Sequence, residues 1–206
     1  MDKYSIIYPM AGFGTRFANK GFNVPKPFIK IKDQYIFEYS IKSLQIPGHY
    51  YIVTRELEES YIKIINEILK KYQIKGTVIN LDSPTSGATD TCYNIKNFIP
   101  LDSRLVITNC DQYTPWDVNK FLEFVDNTNW DSIVTTYNHY DIEVGKPSRY
   151  SFIKVDQNKN AVEFAEKFAI SPHALNGIHF WRKASDFFST AKELLNSTHT
   201  QEDFIS

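Results

Sequence analysis

Short apolar runs alternate with helical patterns along the first two thirds of the chain, and this alternation limits the fold more than any other feature. The apolar runs, each predicted as a strand, lie at residues 5–8, 50–53, 77–81, 104–108 and 132–136. The helical patterns between them lie at 35–44, 57–72, 90–98 and 115–126, and the second repeats apolar residues at the i, i+3, i+4 spacing of an amphipathic helix. The pattern therefore predicts an α/β layer built from right-handed crossovers.

The last third has a different character. Short strands are predicted at 150–155, 161–164 and 178–181, separated by turn residues, and a further helix at 184–195. No internal repeat, low-complexity tract or linker interrupts the chain. We expect one domain over 1–206 with a small mixed-β region toward its C-terminal end, and either a complete short protein or a chain that ends early.

Composition narrows the classes of partner. A chain of 206 residues with 42% hydrophobic residues can bury one sizeable core. Its 23 basic and 24 acidic side chains leave a net charge of -1, so no overall positive field would collect nucleic acid or anionic lipid. Two cysteines and the lack of a leader or long apolar run favour a cytoplasmic protein. The sequence leaves open whether it forms a homo-oligomer.

The turn after the first strand has the composition of a phosphate-binding loop. Gly12 and Gly14 permit close backbone approach, so that successive N–H groups, beginning near Ala11, can form an anion nest. Thr15 adds a hydroxyl donor and Arg16 a planar cation suited to phosphate. In open α/β sheets, ligands bind beyond the carboxyl ends of the strands, where this loop lies.

A second cation follows on a stiff segment. Lys26 stands between two prolines, which restrict their own backbone and that of their neighbours. The spacing does not fit a Walker A loop, and a dinucleotide-binding Gly-x-Gly-x-x-Gly would need glycine where Phe17 stands. The alternative is a plain strand-to-helix turn whose arginine faces solvent, which the combination with Lys26 disfavours.

These two segments together resemble the N-terminal motif of the nucleoside-diphosphate-sugar pyrophosphorylases, also called sugar-1-phosphate nucleotidyltransferases. The resemblance implies a Rossmann-like fold with a mainly parallel sheet flanked by helices and a small mixed-β sugar-binding region. It also implies a nucleotide-binding part at 1–137 and an acceptor-binding part at 138–206. Arg16 and Lys26 would then be catalytic, and residues of the glycine loop would bind nucleotide.

An acidic residue at the end of the fourth strand agrees with the resemblance. Asp111 follows the apolar run 104–108, at the same crevice as the glycine loop. There it could hold a Mg²⁺ that bridges ligand phosphates, since Mg²⁺ takes one or two carboxylates plus phosphate oxygens and water. The alternative role is an N-cap for the next helix.

Two more segments match the family pattern. The loop after the third strand would pack around the nucleobase through Ser83, Thr85, Gly87 and Ala88, although a plain loop with a helix cap is an alternative. In the last third, Glu166 would accept hydrogen bonds from sugar hydroxyls and Lys167 would neutralise the acceptor phosphate. Asn176 and the Gly177 backbone would complete that pocket, whereas Phe168 departs from the proline usual in the family.

The sequence thus predicts a Mg²⁺-dependent nucleotidyltransferase. It would transfer NMP from an NTP to a sugar 1-phosphate, release pyrophosphate, and make an NDP-sugar for a surface polysaccharide. One alternative is a cytidylyltransferase acting on a phosphorylated alcohol or amine such as phosphocholine, for which aromatic residues around the acceptor would be evidence. The other is a non-catalytic nucleotide-sugar binding protein, because no second metal carboxylate is identified.

Overall fold

Ten strands and five α-helices are present in the computed structural model, which describes residues 3–12, 21 and 24–197. The strands are β1 (Tyr4–Pro9), β2 (Lys30–Ile31), β3 (Gln34–Tyr35), β4 (His49–Arg55), β5 (Gly76–Leu81), β6 (Arg104–Thr108), β7 (Ser132–Asn138), β8 (Pro147–Val155), β9 (Ala161–Phe168) and β10 (His173–Trp181). Eight of them form one sheet, and β2 pairs with β3 in a separate small hairpin.

The N-terminal half of the large sheet is parallel. Its order is β5-β4-β1-β6, so β1 lies at the centre with β4 on one side and β6 on the other. The chain turns from one side of β1 to the other between β5 and β6, which creates a switch point at the carboxyl ends of β1 and β6. The α/β, Rossmann-like expectation is confirmed in this half.

The C-terminal half is antiparallel and is built on β10. This strand pairs with β6 near Ile178 and with β8 at Ala174, while β7 follows its other edge. The sheet then ends with β9 beside β8. The segment 132–136 is therefore a strand as predicted, but its place among the parallel crossovers was wrong. It pairs antiparallel with β10, and none of its residues is fully buried.

Helices cover both faces of the sheet. They are α1 (Ile36–Leu44), α2 (Glu59–Lys71), α3 (Ala88–Tyr93), α4 (Val118–Asn127) and α5 (Ala184–Asn196). Ile6 of β1 packs in a core with α1, α2 and α4, while the next residue, Ile7, packs in a second core with α3 and α5. Alternating side chains of one buried strand thus serve two layers. The predicted helix 90–98 is shorter than expected, because a 3₁₀ turn at Lys96–Phe98 replaces its second half.

None of the described helices is both long enough and apolar enough to span a lipid bilayer.

Candidate active site

The ends of β1 and β6 bring two predicted site segments together. Met10 donates its backbone N–H to Val53 O of β4 at 2.7 Å, which fixes the start of the loop after β1. Ala11 is buried, and no described atom lies within 4 Å of where a Cβ on Gly12 would stand. The described residues therefore leave the Gly12 backbone uncovered at this position. Gly14, Thr15 and Arg16 lie outside the described residues, so their roles stay predictions.

Lys26 lies on an anchored turn. Residues Lys26–Phe28 form a 3₁₀ turn, closed by a hydrogen bond from Phe28 N to Pro25 O at 2.9 Å. Phe28 is buried, with its ring centroid 4.6 Å from that of Tyr61 on α2. This packing fixes the backbone that carries the lysine, whose side chain is partly exposed.

The Lys26 ammonium donates to the Asp111 carboxylate, joining the two segments that the resemblance had assigned to catalysis and to metal binding. Both side chains are about one-third exposed, at 32% and 29%. The same two charges would suit a polyphosphate with a bound metal ion. The cation could contact the phosphate oxygens, and the anion could contact the metal ion.

Side chains and backbone of α1 form hydrogen bonds with the loop that carries Asp111. Ser40 donates its hydroxyl to Asn109 O at 2.7 Å, and Ser43 accepts from Thr114 N–H at 3.1 Å. Trp116 also donates its indole N–H to Ser43 O at 2.9 Å. Two serines one helical turn apart thus position the whole segment 109–116.

A cleft of about 730 Å³ opens beside this loop. Its lining joins the end of β6 to the antiparallel half of the sheet and includes four predicted site residues: Ala88, Glu166, Asn176 and Gly177. The cleft thus connects residues predicted to bind nucleotide with residues predicted to bind the acceptor, as a two-substrate site requires.

Gln112 links the two sides of the cleft. Its side-chain amide donates to Asn176 O of β10 and accepts from Asn109 Nδ2 at 3.2 Å. Gly177 lies against the same group, since a Cβ there would be 2.1 Å from Asn109 Nδ2. Its φ of +74° also favours glycine. The loop after β6 and strand β10 therefore contact each other directly.

Asn176 is itself fixed by hydrogen bonds. Its side-chain oxygen accepts from the Thr135 hydroxyl of β7 and from Ile178 N–H at 3.2 Å. The predicted acceptor residue is therefore oriented by its neighbours on β7 and β10.

Of the predicted pair Glu166 and Lys167, only Glu166 is among the described residues that line the cleft. Glu166 lines the cleft, opposite Ser151 in the β8–β9 ladder, whereas Lys167 is absent from the described lining. Lys167 has a left-handed backbone with φ +56°, and its ammonium forms an ion pair with Glu166 at 3.3 Å. Phe168 stands where the family usually has proline, so the resemblance does not define the backbone conformation at Lys167. The assignment of Lys167 to the acceptor phosphate stays a prediction.

The predicted nucleobase loop is ordered mainly by its own hydrogen bonds. Thr85 and Thr91 share a hydroxyl hydrogen bond of 2.7 Å, and Asp90 accepts from Ser86 N–H at 2.8 Å. Ala88 is the member of the predicted set that reaches the described lining of the cleft, and Ser83, Thr85 and Gly87 are not among that lining. Their contact with a base stays a prediction.

Several cleft residues were not singled out from the sequence. They are aromatic or polar; one lies on the loop after β6, Tyr113, and the others lie on β7 and β8: Thr136, Tyr137, Arg149, Tyr150 and Ser151. The sequence indicated only that Arg149 and Tyr150 lie at the start of a predicted strand. That position does not show which side chain faces a cleft. Burial and the nearby Tyr150 raise the pKa of Tyr137, whereas the charge of Arg149 acts in the opposite direction.

His179 forms part of the cleft floor. It is buried and its ring stacks on Trp181 with 6.1 Å between centroids. Burial lowers the pKa of His179 to about 4, so the ring is neutral near pH 7.

No group of three or more His, Cys, Asp or Glu side chains in the described parts of the chain could hold a metal ion on its own. A single carboxylate such as Asp111 is compatible with Mg²⁺, which is commonly bound by one or two carboxylates with substrate phosphates and water.

The chain belongs to the nucleotidyl transferase family, whose pattern matches residues 9–206. No curated protein sequence matches the chain.

Solved structures with the same fold include several nucleotidyltransferases. A nucleoside-diphosphate-sugar pyrophosphorylase from Vibrio cholerae is similar at 18% identity with a TM-score of 0.75, over 97% of this chain and 84% of that one. An inositol-1-phosphate CTP transferase from T. maritima is similar at 16% identity and 0.72, over 98% and 77%. A UDP-glucose pyrophosphorylase complexed with UDP-glucose is similar at 18% identity and 0.71, over 94% and 80%. At these identities the likeness shows the fold.

Proposed function

We propose that this protein transfers NMP from an NTP to a sugar 1-phosphate and releases pyrophosphate, as a cytoplasmic enzyme that makes an NDP-sugar for a surface polysaccharide. The observation that carries the proposal is the Lys26–Asp111 ion pair at the switch point, next to a cleft that reaches Glu166 and Asn176. The family membership supports nucleotidyl transfer, and the sugar nucleotide enzymes among proteins of the same fold support the choice of acceptor.

In this reaction an oxygen of the acceptor phosphate forms a bond to the α-phosphorus of the NTP. The bond between the α-phosphorus and the bridging oxygen breaks, and pyrophosphate leaves with the electron pair. The attacking oxygen is already anionic, so the site needs no strong general base. It must instead hold two polyanions together and offset the charge that develops on the leaving group.

Lys26 and Asp111 suit these tasks. Binding of the triphosphate would separate the pair, so that the ammonium contacts phosphate oxygens and the carboxylate becomes available to a cation. Asp111 and ligand oxygens would hold Mg²⁺, which would supply electrostatic stabilisation of the negative charge on the phosphate oxygens in the transition state. Arg16, by the family resemblance, would add a second cation to the phosphates.

On the acceptor side, Glu166 would accept hydrogen bonds from sugar hydroxyls, and Asn176 with the Gly177 backbone would complete the pocket. The contact of Gln112 with Asn176 would keep this pocket in register with the loop that carries Asp111. That register matters because a displacement of about 1 Å can cost about a hundredfold in rate.

A second candidate acceptor is a phosphorylated alcohol or amine, as in a cytidylyltransferase acting on phosphocholine. Two observations favour it: an inositol-1-phosphate CTP transferase shares the fold, and Tyr137 and Tyr150 line the acceptor end of the cleft. Aromatic faces can bind a quaternary amine, although they also pack on sugar rings.

The test is pyrophosphate release with each NTP, Mg²⁺ and a panel of acceptors that includes sugar 1-phosphates, inositol 1-phosphate and phosphocholine. We expect turnover with one NTP and a sugar 1-phosphate, and a loss of at least about a hundredfold in Asp111→Asn and in Lys26→Gln. Asp102→Asn is the matched control, because Asp102 is exposed and precedes the same strand that Asp111 follows. Turnover only with phosphocholine would support the second candidate. No turnover with any pair, despite NTP binding, would support a binding protein instead.

A further inference from the structure

Arg149 is a cleft residue whose charge has no counter-ion in the described parts of the chain. Two charged groups line the cleft, Arg149 and Glu166, and Glu166 forms an ion pair with Lys167. Lys26 and Asp111, which lie outside the described lining, form an ion pair with each other. Arg149 is exposed, so its guanidinium can contact an anionic ligand in the cleft without first breaking an ion pair with a described residue.

The guanidinium is held in place by aromatic rings. It lies over the Tyr150 ring, 5.1 Å from the centroid. Tyr150 in turn contacts Tyr137 edge-to-face at 6.4 Å and His139 at 5.2 Å between centroids. An arginine stacked on a fixed ring loses little freedom when it binds a planar anion with two hydrogen bonds.

This aromatic group is far from the reacting phosphates. Tyr137 pairs with Ala174 on β10, and Gly177, which contacts Asn109 beside Asp111, is three residues further along that strand. The register shifts between Leu175 and His179, so at about 3.3 Å per residue the two positions are at most about 10 Å apart. Glu166 and Asn176 line the cleft with them. An acceptor whose phosphate is near Asp111 would therefore direct its opposite end toward Arg149.

We propose that Arg149 binds a carboxylate at the end of the acceptor opposite the reacting phosphate. The inference rests on the proposed function and narrows its substrate class to acidic sugar phosphates, such as a uronic acid 1-phosphate. It also disfavours phosphocholine, because the face of Tyr150 that could hold a quaternary amine already carries a cation.

The experiment compares acceptors that differ by one carboxylate. Glucose 1-phosphate is compared with glucuronic acid 1-phosphate, and galactose 1-phosphate with galacturonic acid 1-phosphate, by kcat/KM and by the ligand-induced change in Tm. The proteins are the wild type, Arg149→Gln, Arg149→Lys and Lys167→Gln. Lys154→Gln is the matched control, because Lys154 lies on the same strand and pairs with Glu163 at 3.1 Å, outside the cleft lining.

We expect the wild type to prefer the acidic member of a pair by about 10-fold to 100-fold, the range of a charge-assisted bidentate contact. Arg149→Gln should lose this preference and keep its KM for NTP. Arg149→Lys should retain part of the preference, while Lys154→Gln should retain all of it. An unchanged preference in Arg149→Gln would overturn the proposal, as would a wild type that does not distinguish the members of either pair.

Two further outcomes show which acidic group of the acceptor Arg149 binds, and distinguish failure of this inference from failure of the proposed function. Equal weakening of neutral and acidic sugar phosphates in Arg149→Gln would mean that Arg149 binds the reacting phosphate, which contradicts the proposal. If no pair releases pyrophosphate, the proposed function fails. The change in Tm still decides the role of Arg149, because it needs binding and not turnover. The absence of any carboxylate-dependent change in Tm would then overturn this inference too.

Discussion

Gly177→Ala should destabilise the protein through two separable effects. The first is backbone strain, because Gly177 has φ +74° and an L-residue in the left-handed region costs about 1–2 kcal/mol. The second is a steric conflict, because the new methyl group would be 2.1 Å from Asn109 Nδ2. Asn109 is exposed and can rotate away. It would then lose its hydrogen bond to Gln112, worth about 0.5–1.5 kcal/mol. We expect a total loss of about 2–3 kcal/mol in the free energy of unfolding.

The assay is urea denaturation followed by tryptophan fluorescence. Gly145→Ala is the control for strain alone, since Gly145 has φ +88° and no described atom lies within 4 Å of its added Cβ. It should lose only about 1–2 kcal/mol. The double variant Asn109→Ala/Gly177→Ala should be more stable than the sum of its single variants predicts, by about 1 kcal/mol, because both single changes remove the same hydrogen bond. Strict additivity, or a Gly177→Ala variant as stable as the wild type, would refute the described contact.

Three other changes test the core and the buried charges. Phe152→Ala should cost about 3–5 kcal/mol in urea denaturation, because Phe152 of β8 is fully buried in a cluster with Ala169 and Ala174; a loss below about 1 kcal/mol would contradict its burial. His179→Asn should flatten the pH dependence of stability. Burial lowers the folded pKa of His179 to about 4 while the unfolded value is about 6.5, so the wild type loses up to about 1.4 kcal/mol per pH unit as pH falls through this window. An unchanged slope would contradict this origin. Burial raises the pKa of Glu38, but hydrogen bonds from Lys71 and Tyr72 lower it more, so the folded value is below the ordinary one. Glu38→Gln should therefore cost about 1–3 kcal/mol near pH 7, and its difference from the wild type should shrink as pH falls through the folded pKa. A difference that is constant with pH would refute the charge-based explanation.

The sequence predicted the parallel half of the fold well because its signals are local. Buried parallel strands are continuous apolar runs, and the helix predicted at 57–72 has an amphipathic period that the structure confirms at Glu59–Lys71. The antiparallel half depends on pairing between distant segments. The strand at 132–136 has no local feature that distinguishes a parallel neighbour from the antiparallel partner β10, and its predicted place was wrong for that reason.

In the candidate site, too, residues with local sequence signals could be predicted, and residues whose role depends on contacts between distant segments could not. Lys26 and Asp111 could be proposed because each directly follows a recognisable motif, and the structure brings them into contact. Arg149 could not be singled out, because its importance depends on the edge-to-face contact of Tyr150 with Tyr137 and on the pairing of Glu166 with Lys167. Such contacts between strands leave no periodic signal in the sequence.

Phosphorus NMR of the completed reaction tests the central claim most directly. With the preferred NTP, Mg²⁺ and acceptor, the account predicts that the α-phosphorus signal moves to that of a diphosphate diester coupled to the acceptor phosphorus, in equal amount with pyrophosphate. Asp111→Asn should give neither signal at a comparable rate, and Asp102→Asn should give both. Formation of free NMP with pyrophosphate, or of NDP with inorganic phosphate, would contradict nucleotidyl transfer to a phosphorylated acceptor.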